Sequence, residues 1–331
     1  MKTGALMKAI VYHRYGSPDV LKCEEIEKPA AGDDEVLIKV RAASVNPADA
    51  HLMKGRPYIG RLVFGLRKPK LTRPGFDVAG QVEAVGRNAT QFNPGDEVFG
   101  SCRGAFAEYA CASESALVMK PDKVTFEQAA SVPVAAYTAL QGLRDKGKIQ
   151  PGQKVLINGA AGGVGTFTVQ IAKSFGADVT GVCSTNNVNM VRSIGADRVI
   201  DYTQQDFTKG AQRYDLIFDL VSNHSLLACR RVLNPKGIYL GAGIGPGNTP
   251  SMIGLLARWI TAVALSRLVG QKFVMFMAKR NQGDLAIMHE LMHAGRVTPV
   301  IDRRYRLSEV PEAMRYLEEG HARGKVIITL E

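Results

Sequence analysis

Along the first third of the chain, apolar and polar positions alternate in short runs: Val36–Ala42, Val78–Val85, Glu97–Gly100, Ala105–Cys111 and Ala116–Lys120. Pro/Gly turns such as Asn93-Pro-Gly-Asp96 separate them. A period of two over runs this short predicts antiparallel strands with one buried face, and so a barrel-like β domain. Met7–Tyr12 reads as its first strand, with the residues before it frayed. From Lys154 the pattern changes. Continuous apolar runs recur at Lys154–Asn158, Val179–Cys183, Arg198–Asp201, Asp215–Leu220, Gly237–Gly241 and Lys272–Met277. Helical patterns such as Val188–Ile194 and Ser225–Leu233 lie between them. Strands that are apolar throughout and alternate with helices predict βαβ units around a parallel sheet buried on both faces.

The end of the chain reads helix Leu285–Ala294, strand Val300–Arg306, helix Val310–Glu318 and strand Lys325–Leu330. A closing strand fits the parallel sheet poorly, so this return is expected to complete the first domain. The expected division is residues 1–125, 126–282 and 283–331.

The first apolar run of the parallel pattern leads into Gly159-Ala-Ala-Gly-Gly-Val-Gly165, and a helix pattern from Thr166 to Phe175 follows at once. A strand, a glycine-rich turn and a helix N-terminus form the context for a dinucleotide pyrophosphate. Gly162 would admit the phosphate to the backbone, Gly165 would let helix and strand approach, and the helix N-terminus would offer N–H groups. The first glycine of G-x-G-x-x-G is replaced by Ala160. About 20 residues on, NAD sites place an acid against the ribose hydroxyls. Here the strand ends Gly181-Val-Cys-Ser-Thr-Asn-Asn187, with no acid. Ser184, Asn187 and nearby Tyr202 can donate to a 2′-phosphate, which favours NADPH; Tyr202 could equally be an ordinary loop aromatic.

Residues 251–277 are apolar and hold the only tryptophan, but Arg258, Arg267 and Lys272 interrupt them too often for a membrane span. Met252, Leu255, Leu256, Trp259, Ile260 and Val263 recur at helical spacing. This predicts a helix packed on the core or lining a cleft, with contact to a membrane surface as the alternative.

With 331 residues the chain can build two domains. Its net charge of +11 suits an anionic cofactor; the cations are scattered, so nucleic acid is an unfavoured partner. Five cysteines form no C-x-x-C pair, and Met1–Leu6 is too short for a signal peptide. Reduced thiols in a cytoplasmic protein are the expectation.

Beyond the turn, several segments stand in a recognisable order: Val45-Asn-Pro-Ala-Asp49, Pro74-Gly-Phe-Asp-Val-Ala-Gly80, Asn93-Pro-Gly-Asp-Glu-Val98 and Ala135-Ala-Tyr-Thr-Ala-Leu140. Ala160-Ala-Gly-Gly-Val-Gly165, Gly195-Ala-Asp-Arg-Val-Ile-Asp-Tyr202 and Gly324-Lys-Val-Ile-Ile328 complete the set. Over nearly its whole length the chain resembles the medium-chain dehydrogenase/reductases, in the zinc-independent, zeta-crystallin-like quinone oxidoreductase branch. The resemblance implies an α/β fold: a GroES-like antiparallel barrel domain plus a Rossmann domain with a doubly wound parallel sheet. Zinc-dependent relatives carry cysteine at the position of Asn46 and histidine at that of Phe76. Neither residue present supplies the thiolate or imidazole a catalytic zinc needs, so no zinc and no other metal is expected. His289-Glu-Leu-Met-His293 matches H-E-x-x-H on a helix, but no third ligand follows at a recognisable spacing.

The resemblance further places Asn46 and Thr138 beside the nicotinamide, and Ala161, Gly162, Gly163 and Val164 at the pyrophosphate, between Ala160 and Gly165. Gly241, Ala242, Gly243 and Ile244 would end a strand where backbone groups hold the carboxamide, and Lys325 would reach a phosphate. Asn46 could instead shape the turn before Pro47, and Thr138 could serve helix packing. Asp49 and Asp77 read as structural. Tyr58, in the basic segment Gly55–Thr72, could donate to substrate if that segment forms a lid.

The implied function is hydride transfer from NADPH to quinones or α,β-unsaturated carbonyls. A dedicated alcohol dehydrogenase or enoyl reductase is the second enzyme reading, and an NADPH-binding regulatory or RNA-binding protein the reading of another class. A small electrophilic substrate and a homodimer are the implied partners.

Overall fold

The computed structural model describes residues 5–242 and 252–330. The chain divides into two compact units. One runs to Val134 and regains Arg280–Gly295 and the segment from Ile301; the other holds Ala135–Lys279 and Arg296–Val300. The first boundary therefore falls after residue 134, beyond the expected 125. A helical segment after Thr125 accounts for this: Thr125 and Gln128 cap it reciprocally, and its Ala129 and Ala130 are buried.

In chain order the first unit holds β1 (Leu6–Val11), β2 (Lys22–Glu27) and β3 (Glu35–Val45), then α1 (Pro47–Lys54) and α2 (Arg61–Phe64). β4 (Asp77–Val85), β5 (Glu97–Ser101), β6 (Tyr109–Ser113), β7 (Leu117–Met119), α3 (Phe126–Ala130) and α4 (Pro133–Gln141) follow, the last running on into the second unit. That unit continues with β8 (Lys154–Asn158), α5 (Gly163–Ser174), β9 (Asp178–Cys183), α6 (Val188–Ser193), β10 (Arg198–Asp201) and β11 (Tyr214–Asp219). It ends with α7 (Leu226–Arg231), β12 (Leu233–Ala242), α8 (Met252–Leu268) and β13 (Lys272–Phe276). The return comprises α9 (Gln282–His293), β14 (Ile301–Arg306), α10 (Val310–Glu318) and β15 (Lys325–Thr329).

The first unit's main sheet has the order β14-β15-β3-β4-β5-β7, with β6 also paired to β3. β15 lies antiparallel to β3, which places Val326 opposite Val45 and seats the last strand against the residues leading into α1. α10 covers this sheet through Val310, Ala313, Met314 and Leu317, buried at helical spacing. Val310, Met314 and Leu317 each contribute about 2 kcal/mol by leaving water. Two expectations needed correction here. The strand expected at Ala105–Cys111 is Tyr109–Ser113, because Phe106 and Ala107 are taken up by β1: Ile10 N–H donates to the Phe106 carbonyl, and Ala9 bridges Ala107. β2, unforeseen in the pattern, pairs with β1 although its sequence is largely charged.

The second unit is a six-stranded, wholly parallel sheet in the order β10-β9-β8-β11-β12-β13. Counted from β8 this is 3-2-1-4-5-6, the doubly wound order. The order of strand addition reverses between β8 and β11, whose last residues, Asn158 and Asp219, face each other in register. Asp219 is buried and accepts from the Asn158 amide, the N–H groups of Val221 and Ser222 and the Tyr239 hydroxyl.

α8 departs from the core-packing expectation. Leu256, Trp259, Ile260 and Val263 are 46–62% exposed. The face turned to the rest of the unit carries Arg258, which reaches the His224 carbonyl and Asp219, with buried Ala262 and Ser266, which bonds the Phe273 backbone. Polar anchors, not the apolar stripe, set this helix's rotation. Among the described residues no helix is long and apolar enough to cross a membrane.

Candidate active site

At the carboxyl end of β8 the chain turns through Gly159, whose φ of +90° is a left-handed value that glycine adopts at little cost. The N–H groups of Gly159 and Ala160 donate to the Val182 carbonyl and pin the turn to β9. Ala160 is fully buried at the position of the fingerprint's first glycine. Gly181 makes room for it: a Cβ there would lie 3.0 Å from the Ala160 methyl and 2.6 Å from Val191. The small residue has moved from the turn to the neighbouring strand. Gly165 is needed for close approach, since a Cβ on it would fall 2.0 Å from the Gly159 carbonyl oxygen.

Gly162 differs from both. It is the N-cap of the twelve-residue α5, has φ −79°, and offers no side-chain cap to the first-turn N–H groups. Among the described residues, a Cβ there would meet nothing closer than the Gly159 oxygen at 3.5 Å. Ala161 is buried, while Gly162, Gly163 and Val164 remain partly accessible. An uncapped helix N-terminus at the switch point of a doubly wound sheet fits a pyrophosphate.

Ser184 stands where β9 ends. Asn187 donates its amide N–H to the Ser184 hydroxyl oxygen at 3.0 Å, which leaves the serine's own O–H able to donate. The other amide atom of Asn187, Oδ1, is buried with no hydrogen-bond partner among the described residues. Tyr202 donates its backbone N–H to the Cys183 carbonyl and leaves its ring half-exposed at the same strand ends. Reasoning from sequence found no cation here. Arg192 of α6 lies close enough to Cys183 to lower its thiol pKa, though burial dominates and holds that thiol up at about 11. The signal was available, since Arg192 follows Ser184 by two helical turns. Asp201, at the end of β10, has its carboxylate tied to Thr185 and Thr203 and held below the usual range, first by the Thr185 hydroxyl. Gly241 and Ala242 end β12 as expected of them; Gly243 and Ile244 lie outside the described residues.

In the first unit, the end of β3, the start of α1, the start of β4 and the start of β15 bring five polar side chains into one buried cluster. Asp77 Oδ2 accepts from the Ser44 hydroxyl at 2.8 Å and the Asn46 amide at 2.9 Å; Asp77 Oδ1 accepts from the Val134 N–H. Lys325 Nζ donates to Asn46 Oδ1 at 2.6 Å and lies 3.5 Å from Asp77. Asp49 accepts from the N–H groups of Asn46 and Gly75. All five side chains are at most 3% exposed.

Both ends of the Asn46 amide are engaged inside the protein, where Asn46 holds its neighbours in place. Lys325, placed at a phosphate by the resemblance, commits its ammonium to Asn46 and Asp77. Burial pushes its pKa down, with Asp77 the chief opposing influence. The cluster was missed because Asp49, Asp77 and Lys325 lie far apart in sequence, and only the pairing of β3 with β4 and with β15 joins them. Thr138 sits half-buried on α4. Tyr58 is 60% exposed, with the Arg61 guanidinium over its ring.

Burial pushes the Asp49 carboxyl from 3.8 up to about 7, against two backbone donors that favour its ionised form. A carboxyl whose pKa is raised on folding holds more protons folded than unfolded between those two values. Its contribution to stability therefore falls as pH rises from about 4 to about 7 and levels off above that. Urea midpoints measured across this range should drop with pH in the wild type and drop less in Asp49→Asn. Parallel slopes would contradict the assignment.

His289 and His293 stack on α9 beside the buried stripe of Leu285, Met288 and Met292. Among the described residues no group of three or more His, Cys, Asp or Glu is placed to hold a metal.

Comparison with known proteins agrees with this architecture. The alcohol dehydrogenase GroES-like domain model matches residues 32–122, and a zinc-binding dehydrogenase model matches residues 194–328. An NADPH-dependent alkenal/one oxidoreductase of Arabidopsis thaliana is 34% identical over 97% of this chain and 79% of its own length. A human quinone oxidoreductase is 32% identical over the whole of both chains. The structure of the quinone oxidoreductase from Coxiella burnetii superposes with a TM-score of 0.87, at 30% identity over 99% of this chain and 100% of that one. The nucleotide turn, the sheet order and these relatives together establish that the chain belongs to the medium-chain dehydrogenase/reductases, in the quinone oxidoreductase branch.

Proposed function

We propose that this protein transfers hydride from NADPH to quinones or α,β-unsaturated carbonyls without zinc. The observation that carries the cofactor is the uncapped α5 N-terminus beside an acid-free strand end bearing Ser184 and Asn187. The acceptor class draws on the relatives named for alkenals, enones and quinones. NADPH, when bound, supplies the hydride.

The residues present do the binding. The first turn of α5 holds the pyrophosphate, Gly162 leaves room for it, and the Ser184 hydroxyl, oriented by Asn187, donates to the 2′-phosphate with Arg192 nearby. Quinones and enones delocalise the incoming charge themselves, so orientation and exclusion of water suffice. The buried cluster supports a zinc-free reading. Asn46 stands where zinc-dependent relatives carry cysteine, and its oxygen already accepts from the Lys325 ammonium. Phe76 stands where they carry histidine, and it faces the Arg280 guanidinium. Two cations bordering these positions would oppose a third.

The test is oxidation of NADPH by chelator-treated protein against a panel of quinones and enones, followed by the nicotinamide absorbance. Turnover is expected for both classes. NADPH binding without turnover of any member would overturn the acceptor assignment.

Cofactor preference is tested at one residue. Ser184→Asp places a carboxylate against the 2′-phosphate and should weaken NADPH by about 1–3 kcal/mol while sparing NADH. Equal losses for both cofactors would remove Ser184 from the phosphate.

A further inference from the structure

Between Asp49 and Asp77 the chain carries seven lysines and arginines and no acidic residue. The middle of this stretch folds into a compact projection: a 3-10 turn at Tyr58–Gly60, then α2, then a reversal at Gly65. Its shape is fixed from beneath. The Tyr15 hydroxyl reaches the Gly65 carbonyl at 2.7 Å, and Arg61 reaches the Gly55 and Lys54 carbonyls and lies over the Tyr15 ring. Lys70 N–H closes the reversal onto the Phe64 carbonyl. A Cβ at Gly65 would fall 2.0 Å from the Lys68 carbonyl oxygen, so the tight return requires glycine.

These bonds consume the polar groups beneath and leave the apolar ones outside. Ile59, Leu62, Val63 and Leu66 are 59–70% exposed and Phe64 is 36% exposed. Exposed Arg56, Arg67, Lys68, Lys70 and Arg73 flank them. Large aliphatic side chains held outward by an ordered backbone, within a wholly cationic stretch, call for an occupant that is both apolar and anionic. A second copy of the same face would set cations against cations. Single-stranded nucleic acid is bound by stacking on aromatic rings, and the tips here are mostly aliphatic. A bilayer with acidic headgroups supplies both properties at the right depths: hydrocarbon for the tips and phosphates for the flanking cations.

We propose that the projection at residues 56–70 docks this protein on anionic membrane surfaces. The docking is independent of which acceptor is reduced. It would place the enzyme where apolar electrophiles accumulate.

The experiment is co-sedimentation of the full-length protein with vesicles of phosphatidylcholine alone and of phosphatidylcholine mixed with phosphatidylglycerol. Binding is expected on the mixed vesicles, weakening as salt is raised. Leu62→Glu/Val63→Glu should lower the partition coefficient at least tenfold. Arg67→Gln/Lys68→Gln/Lys70→Gln should lower it by about fivefold per charge removed. Circular dichroism and melting curves establish that both variants are folded. Unchanged partitioning of the folded Leu62→Glu/Val63→Glu variant would overturn the proposal. So would self-association in the absence of vesicles that this variant abolishes, or retention on single-stranded RNA with none on either vesicle.

Discussion

Gly162→Val is expected to abolish NADPH binding in a protein that remains folded. Position 162 has an ordinary negative φ, and its missing Cβ points into space with no atom of the described residues within 3.4 Å. The fold therefore tolerates a side chain, at a cost of about 1 kcal/mol for a β-branched residue at a helix N-cap. The pyrophosphate does not, because the valine methyls would fill the approach to the first-turn N–H groups. Affinity should fall at least 100-fold, or about 3 kcal/mol. Gly165→Ala is the instructive contrast. Its Cβ would sit 2.0 Å from the Gly159 oxygen, so the damage falls on the turn itself, and stability should drop by about 3 kcal/mol or more. Calorimetric or fluorescence titration with NADPH, alongside melting curves, separates the two. A Gly162→Val protein that binds NADPH normally would refute the placement of the phosphates.

Lys325→Met is expected to cost about 3–5 kcal/mol of stability, because it leaves the buried Asp77 carboxylate without its cation. The lysine holds two other side chains in place: its proton occupies Asn46 Oδ1, which aims the Asn46 amide at Asp77. Urea denaturation should show the loss, and Asp77→Asn added to Lys325→Met should recover part of it, since the uncompensated charge is then gone. A single variant as stable as the wild type, or a double variant that simply adds the two losses, would contradict a coupled pair.

The nucleotide turn and the buried polar cluster were not equally legible in the sequence. The nucleotide turn was readable because its chemistry is local: strand, turn and helix start are contiguous from Lys154 to Ser174, and their spacing alone implies an anion at the helix N-terminus. The replacement of its first glycine became intelligible only with Gly181 in view, since the compensation lies on the adjacent strand. The cluster of Ser44, Asn46, Asp49, Asp77 and Lys325 was not readable as a unit. Its members are joined by the pairing of β3 with β4 and with the last strand, and nothing in their spacing reports a contact between residues 46 and 325. α8 misled for a different reason. Helical periodicity identifies an apolar face but not the direction in which it points, and here Arg258 and Ser266 hold the polar face inward.

The central claim is that hydride passes from the nicotinamide to an electron-poor acceptor with no metal taking part. The most direct measurement uses NADPH deuterated at the transferring position, chelator-treated protein and an α,β-unsaturated ketone, with the product analysed by mass spectrometry and NMR. One deuterium at the carbon β to the carbonyl is the predicted result, at a rate that added zinc does not raise. Product without deuterium, or turnover that appears only when zinc is restored, would contradict it.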